Sequence, residues 1–94
     1  VNGEIFIDEG AEKAIYGGAS ILPSGIQKIS GKFVKGDIVS IKNYFGKRIG
    51  KGVTYYDSDE LNLIIGKKSS EIKRLLGYNG RNEIVHRDYL TLNE

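Results

Sequence analysis

The 94-residue sequence contains no Cys, Met or Trp, and only one Pro and one His. Without cysteine it can form no disulfide, no thiolate metal site and no cysteine nucleophile, and a single His argues against a histidine-based metal site. Its apolar runs are two to four residues long, too short for a transmembrane helix or a signal peptide. We therefore expect a cytoplasmic protein with no membrane contact. Because the first residue is not Met, we also expect it to be part of a longer chain.

The charged residues nearly balance over the whole chain, with a formal net charge of +2, but they are unevenly distributed. Residues 1–26 sum to −3, residues 27–52 to +6 and residues 53–94 to −1. A basic block such as residues 27–52 attracts polyanions through the field it creates. Lysines on solvent-facing strand positions, where they discourage edge pairing, explain the same block without a ligand. Both interpretations stay open.

Short apolar segments separated by glycines predict one mainly β domain, and 94 residues are too few for two domains. A strand edge or a bend is expected at Pro23, because proline cannot donate to a β-ladder. The predicted strands lie at residues 4–7, within 26–34, and at 38–42, 47–55 and 83–92.

Capping residues and apolar stripes predict three short helices. The first begins after Asp8 and ends at Gly17–Gly18. The second begins after Asp57, where an Asp-x-x-Glu spacing is related to a capping box, and the third begins after Ser69 and ends at Gly77. The stripes expected to face the core are Ala11, Ala14 and Ile15, then Leu61, Ile64 and Ile65, then Ile72, Leu75 and Leu76.

Two segments share features with catalytic or phosphate-binding motifs. Gly46–Gly52 is rich in glycine and lysine, but its spacing departs from the P-loop and no Ser or Thr follows Lys51. His86 and Asp88 would face the same side of a strand, but no third group completes a triad, so we interpret His86 as structural. No carboxylate spacing matches a calcium loop. The sequence therefore predicts no catalytic, cofactor-binding or metal-binding residue.

Four aromatic residues lie close to the basic block: Tyr44, Phe45, Tyr55 and Tyr56. Aromatic rings beside lysines can stack on single-stranded bases. Aromatic residues of strands also fill the core of a small barrel, which is the more common use of such rings. Sequence alone does not separate the two roles.

Three glycine-rich segments resemble those of the PUA domain, the module named after pseudouridine synthase and archaeosine transglycosylase. They are Gly18–Ile26 (GASILPSGI), Gly31–Val39 (GKFVKGDIV) and Gly50–Val53 (GKGV). This resemblance covers about residues 3–56. Residues 57–94, with two further helices and a closing strand, are similar to the C-terminal PUA region of bacterial glutamate 5-kinases, although Tyr55–Ser58 departs from that family's usual pattern.

The resemblance implies a single PUA domain over residues 1–94, folded as a mainly β pseudobarrel flanked by short helices. It implies a non-catalytic module of a cytoplasmic kinase that starts proline synthesis by phosphorylating the glutamate side-chain carboxylate. ATP and magnesium would belong to the kinase domain of the same chain and not to these residues, and the parent is expected to be a homo-oligomer.

Two functions follow from the resemblance. As a regulatory or scaffolding module, the domain would contact the kinase domain through the basic residues of its added helical segment: Lys67, Lys68, Lys73 and Arg74. As an RNA-binding module, it would use the first helix, the strand and loop after it, and nearby lysines. Those candidate RNA-contact residues are Lys13, Gly17, Gly18, Ser20, Ser24, Lys28, Lys32 and Lys35.

Overall fold

The structure is a computed structural model that describes residues 2–93. Its strands are β1 (Gly3–Ile7), β2 (Ile26–Ser30), β3 (Ile38–Lys42), β4 (Arg48–Val53) and β5 (Leu90–Leu92). Its α-helices are α1 (Glu9–Tyr16), α2 (Ser58–Ile64) and α3 (Ile72–Leu76), with 3₁₀ turns at Pro23–Gly25, Ser69–Glu71 and Arg87–Tyr89. The prediction of a mainly β fold with short helices is confirmed.

The five strands form one mixed sheet in the order β2-β1-β3-β4-β5, in which β1 is parallel to β3 and the other neighbours are antiparallel. A bridge between Ile21 and Val85 joins the chain just before one edge strand to the chain just before the other. Each of these two residues precedes its edge strand by five positions. The bridge therefore brings the sheet edges together, as the predicted pseudobarrel requires.

Isoleucine supplies most of the core: ten of the fifteen buried hydrophobic residues within 2–93 are Ile. On β1, Ile5 and Ile7 face the core while Glu4 and Phe6 face the other side of the sheet, as strand alternation dictates. Leu61 of α2 and Ile72 of α3 belong to the same buried cluster. The C-terminal helices therefore complete one core and do not form a second one.

The first helix begins and ends where its capping residues predicted. The Asp8 carboxylate accepts from the backbone N–H of Ala11 at 2.8 Å, and Gly18 takes a left-handed φ of 98° just after the helix. One stripe residue was placed wrongly, because Ile15 is buried but Ala14 is exposed. The helix is only eight residues long, and its apolar face is narrower than the spacing suggested.

The capping box at Asp57 is confirmed, since its side chain accepts from the backbone N–H of Glu60 at 2.7 Å and the Glu60 side chain accepts in return. Gly77 ends α3 with a φ of 83°. Ser69 is not the cap that we predicted. It starts a 3₁₀ turn and makes no capping hydrogen bond, and α3 begins three residues later at Ile72.

Two predicted strands are longer than the observed ones. The strand expected at 47–55 is β4, Arg48–Val53. The strand expected at 83–92 was mostly wrong, because only Leu90–Leu92 pairs with β4. His86 interrupts it, since its ring caps the 3₁₀ turn at Arg87–Tyr89, and the N–H of Asp88 donates to its Nδ1 at 3.1 Å.

Candidate functional site

A groove runs beside α1, between that helix and the segment that follows it, with a volume of 260 Å³. The backbone N–H of Asp8 donates to the Gly25 carbonyl at 2.9 Å and fixes the turn against the start of the helix. A side-chain carbon at Gly25 would lie 2.6 Å from the Cβ of Ala11, so glycine permits this close approach. This α1 groove is lined by Asp8, Gly10, Ala11, Ala14, Ala19, Ser20, Leu22, Ser24 and Gly25.

The lining of the α1 groove carries little charge. Among the described residues, no Lys or Arg lines it, and its one charged side chain is Asp8, which is already engaged as the N-cap of α1. Leu22 is 41% exposed and gives the groove an apolar wall. The groove is therefore suited to recognition by shape and by hydrogen bonds to Ser20 and Ser24, and not to attraction of phosphates by its own walls.

The structure brings part of the candidate RNA-contact set together. Ser20 and Ser24 line the α1 groove, and Gly17 and Gly18 end the helix that forms its wall. Lys13 is exposed on the same helix. These five residues therefore lie along α1 or beside the groove that follows it, from its start to its end.

The other three lysines of that set lie elsewhere. The Lys28 ammonium is 4.6 Å from the ring centroid of Phe6, across the solvent-facing side of the sheet. Lys32 forms an exposed ion pair with Asp59 at 3.4 Å. Lys35 lines a separate cavity beside the loop that follows α3. The structure does not gather these lysines around the α1 groove.

The candidate kinase-contact residues lie on the helical segment, residues 57–82, which contains α2 and α3. Lys67, Lys68, Lys73 and Arg74 are all exposed. The Arg74 guanidinium lies 2.6 Å from the Glu71 carboxylate, and the hydrogen bond between them lowers the pKa of Glu71. The segment thus presents four cations, one of which is partly neutralised.

Two interactions fasten the loop after α3 to the barrel. The Tyr56 hydroxyl donates to the Arg81 carbonyl at 2.5 Å, and the Arg81 guanidinium lies 4.4 Å from the ring centroid of Tyr55. A side-chain carbon at Gly80 would lie 2.1 Å from the Tyr56 hydroxyl, so only glycine fits there. Burial, and then the Glu60 carboxylate, raise the pKa of Tyr56. Tyr56 is therefore a core residue and not a stacking platform.

Tyr78 adds a further link within the helical segment. Its hydroxyl donates to Oε2 of Glu60, the same residue that accepts from the Asp57 N–H in the capping box. This hydrogen bond, together with burial, raises the pKa of Tyr78. The start of α2 and Tyr78, two residues after α3, are thereby held by one carboxylate.

Comparison with known proteins assigns the fold to a family. The family model described as "PUA domain" matches residues 3–76, which is more than half of the chain. The chain belongs to the PUA domain family. The resemblance noted from the glycine-rich segments is confirmed, while the division at residue 56 between a core pattern and a kinase-specific segment stays a prediction.

The sequence relatives of this PUA domain are parts of kinases. It is 47% identical over 90 residues to glutamate 5-kinase of Agrobacterium fabrum and 48% identical over 91 residues to glutamate 5-kinase of Dictyoglomus thermophilum. Each match covers 96% of this chain but only 23% and 24% of the respective relative. The chain therefore spans a minor part of the curated relatives that it matches.

Solved structures show the same fold at low sequence identity. A PUA domain from Aeropyrum pernix K1 superposes with a TM-score of 0.69 at 24% identity, covering 93% of this chain and 42% of that chain. A chain of the archaeal box H/ACA sRNP Nop10–Cbf5 complex superposes with a TM-score of 0.62 at 19% identity, covering 99% of this chain and 24% of that chain. These similarities establish the architecture alone.

The structure locates the His, Asp and Glu side chains and the glycine-rich segment Gly46–Gly52 in the fold. Within residues 2–93, no group of three or more His, Asp and Glu side chains is placed to hold a metal ion. Gly46–Gly52 forms the β3–β4 turn and β4, where a side-chain carbon at Gly50 would lie 2.5 Å from the Thr91 carbonyl of β5. Gly50 and Gly52 therefore permit close packing of β4, while Gly46 takes a left-handed φ of 86° in the turn before it. In the same described range, no helix has the length and apolar content needed to cross a bilayer.

One cluster was not predicted from the sequence. Tyr16, at the end of α1, shares a cavity with Lys47, Arg48 and Ile49 of the β3–β4 hairpin and with Asn93, which follows β5. No local signal could have found it, because the cavity joins three segments that are far apart in sequence.

Proposed function

We propose that this chain is the non-catalytic PUA module of a cytoplasmic, homo-oligomeric glutamate 5-kinase and that it regulates or scaffolds the kinase. The parent would phosphorylate the glutamate side-chain carboxylate at the start of proline synthesis, with ATP and magnesium bound by its kinase domain. The observation that carries the proposal is the identity of 47% and 48% maintained over 96% of the chain, including the helical segment.

The geometry favours the helical segment as the surface that meets the kinase domain. A side-chain carbon at Gly31 would lie 3.1 Å from the Asn2 carbonyl, so the loop after β2 packs against the start of the described chain. The next residue, Lys32, pairs with Asp59 in the first turn of α2. A domain that precedes this chain would therefore enter close to α2.

The exposed side chains of this segment suit a domain interface. Leu63 is 57% exposed and Tyr78 is 46% exposed, and both accompany the cations Lys67, Lys68 and Lys73. Interfaces between domains of one chain are typically of this mixed polar and apolar character. Through such contacts the module would favour one kinase state over another, which is what regulation requires.

The contact surface is tested in the intact kinase with Lys67→Gln/Lys68→Gln. The matched control is Lys51→Gln/Arg87→Gln, which removes the same net charge from exposed positions elsewhere. We expect the first variant to move the proline inhibition curve or the metal requirement while glutamate phosphorylation persists, and the control to match the unaltered enzyme. Equal curves for both variants would exclude these two lysines from the interface.

RNA binding is the second candidate, and the α1 groove with Ser20 and Ser24 is the observation that favours it. Because binding to a phosphate backbone releases counterions, affinity for RNA should fall steeply with salt. Replacing Ser20 and Ser24 together with Ala should weaken binding if the groove is the RNA site, and unchanged affinity in that variant would exclude the groove. Lys28, Lys32 and Lys35 lie outside the groove, so replacing them together with Ala should weaken binding to all sequences only if the RNA surface extends to them.

A further inference from the structure

A second concave surface lies where the β3–β4 hairpin and the start of β4 meet the end of α1. Its cavity has a volume of 290 Å³ and is lined by Tyr16, Lys47, Arg48, Ile49 and Asn93. Tyr16 is 56% exposed, and Lys47 and Arg48 are both exposed. This hairpin cavity combines an aromatic ring, two cations and a side-chain amide. None of its lining residues lines the α1 groove.

Two asparagines hold the walls of the hairpin cavity. The buried Asn43 side chain accepts from the backbone N–H groups of Phe45 and Lys47, each at 3.0 Å. On the other side, the Asn93 side chain donates to the Arg48 carbonyl at 3.0 Å, and its backbone N–H donates to the Ile49 carbonyl at 2.8 Å. A ligand would therefore meet a backbone that is already ordered, which lowers the entropic cost of binding.

Among the described residues, the two cations of the hairpin cavity make no ion pair. Within residues 2–93, no carboxylate lies within 4.0 Å of the Lys47 ammonium or the Arg48 guanidinium, whereas Lys42 is paired with Glu4. Desolvation of the ring, and then the Glu12 carboxylate one turn earlier on α1, raise the pKa of Tyr16.

The tip of the β3–β4 hairpin carries two further aromatic rings. Tyr44 and Phe45 lie with their ring centroids 4.0 Å apart, and Phe45 is 78% exposed, the largest exposure among the large hydrophobic residues of the described chain. Lys47 follows two residues later and Arg48 three residues later. Rings next to cations are the combination that binds a planar base together with its phosphate.

We propose that the hairpin cavity binds a nucleotide unit, with the phosphate on Lys47 and Arg48 and the base stacked on Tyr16. The nucleotide can come from two sources, a free nucleotide or one residue of a single strand, and the two share this chemistry. In the second case the neighbouring base lies on the Tyr44–Phe45 pair. The inference does not depend on the kinase-module proposal, because it concerns binding to the 94-residue chain itself.

The test is an NMR titration of the ¹⁵N-labelled chain with uridine monophosphate and, separately, with a five-residue oligouridylate. We expect at least one probe to bind with a Kd below about 1 mM, the weak end of specific affinities. The amide signals of Tyr16, Lys47, Arg48 and Asn93 should shift, and those of Ser20 and Ser24 should not. Binding of the monophosphate identifies a site for free nucleotides, and binding of the oligonucleotide alone identifies a site for a strand.

Matched variants make the result decisive. Lys47→Gln/Arg48→Gln should weaken binding about tenfold or more, because it removes two charge-assisted hydrogen-bond donors. Lys51→Gln/Arg87→Gln removes one Lys and one Arg outside the cavity and should leave Kd within about twofold at physiological salt, where distant charges are screened. Tyr16→Leu, which retains an apolar side chain at an exposed position, should weaken binding about fivefold or more through lost stacking.

The proposal is overturned if neither probe gives a saturable shift. It is also overturned if Lys47→Gln/Arg48→Gln, shown by thermal unfolding to be folded, binds as tightly as the unaltered chain. If the two double variants weaken binding to the same extent, the loss is due to net charge alone, and the proposed site is contradicted.

Discussion

The β-sheet with α1 and the C-terminal helical segment are stabilised in different ways. The sheet is held by continuous backbone ladders over a core rich in isoleucine. The helices α2 and α3 have seven and five residues, too short to be stable without packing. They depend on the packing of Leu61, Ile64 and Ile72 into the core, on a capping box and on side-chain tethers such as the Tyr56–Arg81 hydrogen bond. We infer that the helical segment opens first when the domain is destabilised.

This difference suits the proposed division of labour. A region that communicates with another domain must shift between arrangements at low cost, and such regions come from the less stable part of a fold. Under the proposed function, the sheet would act as the scaffold and the helical segment, which the alignments with the relatives cover, would carry the contacts that change.

The largest effects should come from equal truncations in the two regions. Ile5→Ala in the interior strand β1 and Ile72→Ala in α3 remove the same atoms from buried positions. Each should cost about 2–5 kcal/mol, with Ile5→Ala the more costly because the sheet cannot collapse around the cavity. Hydrogen exchange should accelerate throughout the domain in Ile5→Ala, but mainly across residues 57–82 in Ile72→Ala. A uniform loss of protection in both variants would mean that the domain has no separable segment.

A smaller effect is expected at the start of α2. Asp57→Ala removes the N-cap side chain and should reduce the free energy of unfolding by about 0.5–2 kcal/mol. Asp8→Ala makes the same change at α1, which is anchored by the adjacent β1. Denaturant unfolding gives the two costs. Exchange rates should rise around α2 for the first variant and around α1 for the second, and acceleration at α1 in Asp57→Ala would contradict the separation.

Removing the hydrogen bond between the barrel and the loop after α3 should reduce the free energy of unfolding by less still. Tyr56→Phe deletes the hydroxyl that donates to the Arg81 carbonyl and should cost about 0.5–1.5 kcal/mol, the net contribution of one hydrogen bond. Exchange should accelerate in residues 78–82 and stay unchanged in β1 and β3. Tyr44→Phe, at the exposed hairpin tip, is the control and should leave the unfolding curve where it is.

The smallest effect concerns the surface pair on the helical segment. Arg74 lowers the pKa of Glu71 in the folded chain, so the pair adds stability above the ordinary pKa of a Glu side chain, and this is lost as pH falls through the lowered value. In Arg74→Ala, the pKa of Glu71 measured by NMR should rise toward its ordinary value. An unchanged Glu71 titration would show that the pair does not persist in solution.

Local signals explain which parts of the fold the sequence could predict. The caps at Asp8 and Asp57 and the glycine ends at Gly18 and Gly77 act within a few residues, so their helices were found. The closing strand was overpredicted because its apolar pattern does not reveal that His86 caps a turn.

The candidate sites depended on contacts between distant segments. The basic block suggested one surface, but strand register sends Lys28 and Lys42 to either side of Phe6, while Lys47 and Arg48 enter the hairpin cavity. Of the four aromatic residues beside that block, Tyr56 is buried whereas Phe45 is exposed. The strand register and the closing of the sheet by the Ile21–Val85 bridge decide these positions, and neither can be obtained from composition.

The central claim is that this PUA domain regulates a kinase to which it is attached. The most direct measurement compares the intact enzyme with a version that lacks residues 1–94, assayed for glutamate phosphorylation across a range of proline and metal concentrations. The account predicts that phosphorylation persists and that the proline midpoint or the metal requirement shifts, by about 5- to 150-fold for a typical coupling of 1–3 kcal/mol. Identical proline inhibition and identical metal dependence in the two enzymes would contradict it.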